Sequence, residues 1–537
     1  MDCTQHDARP ATAVTAARAA VIDRIASRVI RCMGGSNRLP LSCTSSQQMG
    51  GAMNFRPIYL GKRAWLAAAL VLAAGCAQNT PESDEPRPTR EPVELRLLVV
   101  DDPDMSAAIV GLRAEWKART NDTFVVSELT GEELESYETP PDGDAIIYPG
   151  QLLGMLAQRN WISRLPEDHA SHRELAWADT FELLQVAETC WGKVPHAVPF
   201  GSPLLTCYYR SDLLEALHKN PPKDWIEFHE LAETLARREA LGESAPADDN
   251  PWHGVVQPLA EGWAGRVLLA RAASYAKHRD HYSTLFNIVT MEPLVAGPGF
   301  VRALEELIAD AKLGPENQLE MDAAAARKEF LAGRAGLALT WPGHAELERA
   351  DEGPDPPPTG FAELPGSVAV YNFAQRAWDE RDELGRVPLV GLAGRLGSIT
   401  ANSEVPGEAF DLLAWLSGRE WGTQVSSASP ATTLYRRSQI RKPQPWLDPN
   451  TDSASAEQYA TSVYDAMSRL EYLLAPRIPG AAQYMAALDT AVREAVRGDK
   501  PAGEALEAAA AEWKRITEEL GLDAQQQAYR LSLGLEP

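Results

Sequence analysis

Residues 94–160 switch between two spacings of apolar positions. Glu94–Val100 is apolar at most places and stops at Asp101-Asp102-Pro103-Asp104. A short apolar run halted by acids and proline predicts a strand entering a loop. Met105, Ile109, Leu112 and Trp116 then recur three or four places apart, which predicts a helix burying one face. Two more strands are predicted at Thr123–Leu129 and 144–148, and a helix follows over 152–159. Strands alternating with helices predict an α/β protein with a parallel sheet.

The same rhythm continues downstream. Strand 204–210 leads to a helix over 211–217, and Asp224-Trp225 opens another whose buried side carries Phe228, Leu231 and Leu235. Strand 255–259 precedes a helix over 263–277; helices 300–312 and 323–332 precede strand 335–341. The acidic, proline-rich stretch 348–365 predicts a surface loop, and 387–401 returns to strand character. Two late helices have apolar faces, one with Met485, Leu488, Val492 and Val496, the other with Leu506, Ala510, Trp513 and Leu520. No internal repeat is evident.

The N-terminal region changes the picture of where the protein works. Arg56, Lys62 and Arg63 precede the apolar run 64–74, which leads into Gly75-Cys76. A membrane-spanning helix needs about 20 apolar residues, so this shorter run predicts a cleaved secretion signal over 53–75. A signal acts from the start of a chain, so translation is expected to begin at Met53, with 1–52 a mis-assigned, disordered extension. Residues 76–92 carry Pro81, Pro86, Pro88 and Pro92 among polar residues and predict an extended tether. The remaining length suits two lobes.

A formal net charge of −24 argues against nucleic acid as a partner and against an anionic ligand. Of the cysteines after the signal, Cys76 is the candidate for lipidation. Cys190 and Cys207 could form a disulfide in an oxidising compartment or remain two core thiols. Catalytic and cofactor motifs fail. His229-Glu-Leu-Ala-Glu233 ends in glutamate where a zinc helix needs histidine, and Gly297-Pro-Gly299 lacks the strand and third glycine of a dinucleotide loop. No cofactor or metal is expected, and no enzyme. Adjacent Tyr208 and Tyr209 raise the alternative of a ferric-iron receptor, but neighbouring strand residues face opposite sides.

Ala73-Ala74-Gly75-Cys76 resembles a bacterial lipobox, with Leu72 one place further out than the usual leucine. The resemblance implies that Cys76 carries acyl chains, and two or more of these hold a protein at a membrane. Four further stretches, in order, resemble the maltose-binding-like solute-binding proteins of ABC importers. They are Ala197-Val-Pro-Phe-Gly-Ser-Pro through Tyr209-Arg-Ser-Asp-Leu-Leu214, with Pro221-Pro-Lys-Asp-Trp-Ile-Glu227 after it; Phe330-Leu-Ala-Gly-Arg-Ala-Gly-Leu-Ala-Leu-Thr-Trp-Pro-Gly343; 387–403 with Gly407-Glu-Ala-Phe-Asp-Leu-Leu-Ala-Trp-Leu416; and Pro476-Arg-Ile-Pro-Gly480 through the helix to Gly498, then 504–517.

The resemblance implies a type II periplasmic-binding-protein fold with a hinge of crossing strands and C-terminal helices. Lobe 1 would comprise 93–201 and 391–440, and lobe 2 would comprise 202–390 and 441–537. It implies a monomer that closes on a small solute, a sugar or oligosaccharide, and hands it to permease subunits; the alternatives are a receptor for a metal or other non-sugar ligand or a sensor subunit, and, ranked below these, a glycan-active enzyme. Sugars present flat apolar faces ringed by hydroxyls, so their sites need aromatic platforms beside carboxylates, amides or arginines. Matched positions are Asp101, Asp102, Tyr148 and Gln151 in lobe 1, and Glu261, Trp263 and Trp341 in lobe 2. Met485 stands where the group has a stacking tryptophan, with Tyr484 beside it. Arg395 could reach the cleft or lie solvated. For each aromatic the competing reading is core packing, and for Asp101 and Asp102 it is a helix cap.

Overall fold

Asp102 sets where the first helix begins. Its side chain accepts a hydrogen bond from Met105 N at 3.0 Å and Pro103 fills the first turn, an arrangement worth about 1 kcal/mol. The computed structural model describes residues 91–246, 251–343 and 356–536. Cys76, the signal, nearly all of the tether and the first part of the 348–365 loop lie outside the described residues.

In chain order the strands used below are β1 Glu94–Val100, β2 Thr123–Leu129, β3 Ala145–Pro149, β4 Val198–Gly201, β5 Thr206–Arg210 and β6 His253–Val256. They continue with β7 Ala335–Thr340, β8 Thr359–Ala362, β9 Ser367–Asn372, β10 Ala377–Gly385 and β11 Arg395–Ile399. The helices are α1 Pro103–Val110, α2 Leu153–Gln158, α3 Trp225–Ala236, α4 Ala264–Ala276 and α5 Pro298–Ala311. After them come α6 Pro406–Leu416, α7 Ser453–Met467, α8 Ala481–Arg497, α9 Ala502–Leu520 and α10 Leu522–Ser532.

Two sheets define two lobes. The first has order β2-β1-β3-β11-β4 and the second β8-β5-β7-β6. The chain passes from one sheet to the other between β4 and β5, and back before β11. It leaves the first lobe again ahead of α7, which packs against β8. Each lobe is an α/β sandwich, and the two pack as one unit.

The sheets are mixed rather than purely parallel. β1 runs parallel to β2 and β3, and β6 parallel to β7, as strand-helix alternation predicts. However, β11 enters lobe 1 from the other lobe and therefore runs antiparallel to both β3 and β4. The long helix expected through Trp116 is broken at Gly111-Leu112, yet all four predicted apolar positions are buried. The strand expected to reach residue 259 ends at Val256, and Pro258 just beyond it has no N–H to give a ladder. The end of the supposed 348–365 loop is β8, paired with β5 at the sheet edge.

α10 joins the lobes. Gly192 N donates to Leu531 O at 2.9 Å on the lobe 1 side. On the lobe 2 side the Tyr529 hydroxyl lies 3.1 Å from Ser283 Oγ and its ring meets Phe286 edge-on. Arg477, fully buried, ties the same joint: Nη1 donates to Glu188 O at 2.8 Å, and Nη2 to Cys190 O at 3.0 Å and Ser532 O at 2.8 Å. Glycine is required at position 154 of α2, because a side chain there would run into Arg477 O and the Trp191 ring.

The disulfide is not formed. Both Cys190 and Cys207 are free and buried. Cys190 lies ahead of the crossing into lobe 2 and donates its thiol to Gln185 O at 3.2 Å, whereas Cys207 lies beyond the crossing on β5. Desolvation pushes the Cys207 thiol up to about 12.

Candidate functional site

In open α/β sheets ligands gather outside the carboxyl ends of parallel strands, and both lobes place their candidate residues there. In lobe 1, β1 ends at Val100 and β3 at Pro149, which brings Asp101 and Gln151 to one rim. Asp101 is exposed in the left-handed backbone region, with φ of 52°; its Oδ1 accepts from Gly131 N at 3.0 Å. Gln151 is partly exposed, next to Gly150, whose N–H donates to Gly394 O at 2.8 Å.

Asp102, by contrast, is buried and committed to partners within the protein. Beyond capping α1, its Oδ2 accepts from Arg395 Nε at 2.7 Å and from the Ser429 hydroxyl. Arg395 is neither a cleft residue nor a solvated one. It is buried, and it also donates Nη2 to Asp101 O and Nη1 to Ala393 O, both at 2.7 Å. The pair locks the β1–α1 loop to β11, so Asp102 holds the rim in place and Asp101 faces out.

Tyr148 is fully buried against Leu152, Ala197 and Leu396. Its hydroxyl shares a 2.7 Å hydrogen bond with Ser398 Oγ, and burial raises its pKa. The ring is core, not a platform. Tyr484 is likewise sealed. Its hydroxyl meets Thr517 Oγ1 at 2.8 Å, and its ring sits between Phe286 and Trp513, with centroids 5.4 and 5.3 Å away. The helix face that carries Tyr484 is the one α8 buries, which leaves Met485 partly exposed. Tyr208 is buried against Phe330 and Phe361, and Tyr209 bonds Gln458, so that pair is structural.

Lobe 2 pairs a buried Trp341 with a partly exposed Trp263. Trp341 follows the last residue of β7; its carbonyl accepts from Arg327 Nη1 at 2.7 Å. Trp263 stands at the start of α4, partly exposed, with its ring 5.3 Å from that of Trp341 and tilted by 57°. Two residues past Trp263, Gly265 N donates to Asp489 Oδ1 at 3.0 Å, which anchors the start of α4 on α8. Burial raises the Asp489 pKa, and the hydrogen bonds from Gly265 and Gly262 oppose it. Glu261 projects into solvent, its side chain 88 % exposed, with Arg493 Nη1 3.6 Å away.

Two polar residues here have no counterpart in the sequence reading. Gln257, just past β6, is fully buried, and neither its amide oxygen nor its nitrogen is hydrogen-bonded. Arg266 lies one turn into α4 with its guanidinium 5.0 Å above the Trp263 ring. Spacing relative to Trp263 could have flagged Arg266; nothing local marks Gln257. Beside Trp341, a narrow cavity of about 40 Å³ runs along α4 to the crossing segments, lined by Leu204, Ser274, Pro388 and Leu392 among others. Of the two tryptophans it touches Trp341 alone.

No family model matches the sequence. Among solved structures, an ABC transporter solute-binding protein of Agrobacterium radiobacter K84 in complex with ribitol aligns with TM-score 0.58 at 17% identity, over 79% of this chain and 98% of the other. Maltose-bound MalE3 of T. maritima aligns with TM-score 0.57 at 17% identity, over 79% and 100% of the two chains. The sugar-binding protein MalE of Xanthomonas citri aligns with TM-score 0.58 at 16% identity, over 80% and 98%. The chain thus has the two-lobe fold of MalE-like solute-binding proteins.

Proposed function

We propose that this chain is an exported receptor, anchored through an acylated Cys76, that captures a sugar or polyol between its lobes as a monomer and presents it to the permease of an ABC importer. The observation that carries this reading is the partly exposed Trp263 stacked on Trp341 at the carboxyl end of the lobe 2 sheet. A partly exposed indole suits the apolar face of a sugar ring, and the rim residues Asp101, Gln151 and Glu261 reach solvent, where they can meet hydroxyls. The solved structures of the same fold support the choice of ligand class, since those above are described with ribitol, with maltose and as sugar-binding.

The mechanism is a population shift. A ligand that touches both lobes favours the closed form by its difference in affinity for the two forms. Moving the hinge from 1:99 to 99:1 takes about 5.5 kcal/mol, within the roughly 8 kcal/mol of a micromolar binder. The permease then reads closure rather than the ligand itself. The chemistry assigned to the site is binding, with no bond made or broken.

The test is a thermal-shift screen of the full chain against mono- and oligosaccharides, polyols, amino acids, polyamines and metals. Stabilisation by a sugar or polyol is expected. Stabilisation only by metals or amines refutes the ligand class.

A further inference from the structure

Arg266 carries an inference about ligand charge. Its guanidinium is half-buried and stacked on Trp263, and among the described residues no side chain or carbonyl accepts a hydrogen bond from it. The obvious counter-charge, Asp489, is committed to backbone N–H groups at the start of α4 and forms no ion pair with it. Glu261, the other nearby acid, faces Arg493. Burial draws the Arg266 pKa below its ordinary range; Asp489 opposes this, and Arg395 of the other lobe adds to it. Arg266 stands in the first turn of α4, beside the partly exposed Trp263.

A half-buried arginine that holds no ion pair can take an anion, and its planar fork matches a carboxylate in a bidentate manner. A neutral diol would satisfy the donors yet leave the charge uncompensated. The overall negative charge of the chain does not decide the matter, because salt screens it beyond about 8 Å whereas a partly buried contact is screened far less.

We propose, building on the sugar-receptor reading, that the cleft takes a sugar acid: the ring stacks on Trp263 and a carboxylate on the ring pairs with Arg266. This reverses the expectation of a neutral ligand that net charge suggested. Arg266 is then the residue that selects acidic sugars over their neutral parents.

The experiment is calorimetric titration of the full chain with galacturonate and glucuronate, as monomers and short oligomers, alongside galactose, glucose and their 6-phosphates. It is repeated with Arg266→Gln and Arg266→Lys and at raised salt. The uronates are expected to bind about ten- to a hundred-fold more tightly than the neutral parents. Arg266→Gln should remove that preference, weakening uronate binding far more than neutral-sugar binding, with the ligand-free melting temperature nearly unchanged. Arg266→Lys should keep part of it, and salt should weaken uronate binding only. Neutral sugars binding as tightly as uronates, or phosphates outbinding both, would overturn the acid assignment and leave the sugar receptor standing. If no sugar of any kind binds, both readings fall. A preference that survives in Arg266→Gln would show that another residue carries it and would overturn the role given to Arg266.

Discussion

Replacing Arg477 by methionine should be among the most damaging single changes to stability in this chain. The arginine is fully buried and donates to three carbonyls, those of Glu188, Cys190 and Ser532, as well as to Ser532 Oγ at 3.2 Å. Methionine restores the volume but leaves these buried acceptors without partners. Removing a buried charged group from such a network costs about 3–5 kcal/mol. The loss should also depend on pH, through Glu188. That carboxyl is buried and its pKa is raised, chiefly by desolvation; the Ser202 hydroxyl, Gly391 N and the charge of Arg477 pull it back down. A carboxyl whose folded pKa is raised contributes stability below its unfolded value of about 4.3 and loses it as pH rises through the folded value. Without Arg477 the folded pKa rises further, so the window of loss widens upward. Arg477→Met should therefore be more destabilising at pH 8 than at pH 5. Urea unfolding followed by tryptophan fluorescence at both pH values measures this. A loss under 1 kcal/mol, or one equal at the two pH values, would refute the reasoning.

Other outcomes follow from the same packing. Gln257→Leu should raise stability by about 1–3 kcal/mol, since neither amide atom has a partner; destabilisation in a thermal melt would mean that a water or another group satisfies it. Trp263→Ala should abolish ligand binding with little change in the ligand-free melting temperature, whereas Tyr484→Phe should cost about 1 kcal/mol of stability and leave affinity untouched, as calorimetry and melts on the pair would report. Cys207 should resist alkylation in the native protein and react promptly in urea without any reductant, because its thiol is buried and unpaired; a requirement for reductant would restore the disulfide.

Much of the fold is legible where local signals agree. β1 ends at a proline-acid stop, Asp102 and Asp224 cap the helices that follow them, and apolar spacing marks the buried sides of α3 and α8. The β9–β10 hairpin is silent because β10 is mostly charged and neither face is buried, so no alternation points to a core. Tyr148 reads as a candidate platform only through the resemblance, and periodicity along β3 does not reveal that both faces of this central strand are covered. The fate of Asp102 was decided by Arg395, 293 residues away, and no window on the chain contains both. Trp263 and Trp341 were legible as aromatics at element ends, but their contact and the unpaired Arg266 depend on how α4 lies across β7.

The place of β11 in the first sheet bears on how this protein is made. It lies between β3 and β4, and Ser398 reaches Tyr148 across 250 residues of sequence. While the chain emerges from the ribosome, the inner edges of β3 and β4 therefore stay unpaired until the whole of the second sheet has been synthesised. Bare strand edges invite pairing with other chains, and such distant contacts form slowly. A nascent form of this kind keeps those two edges bare until residues 395–399 have been made, late in the chain.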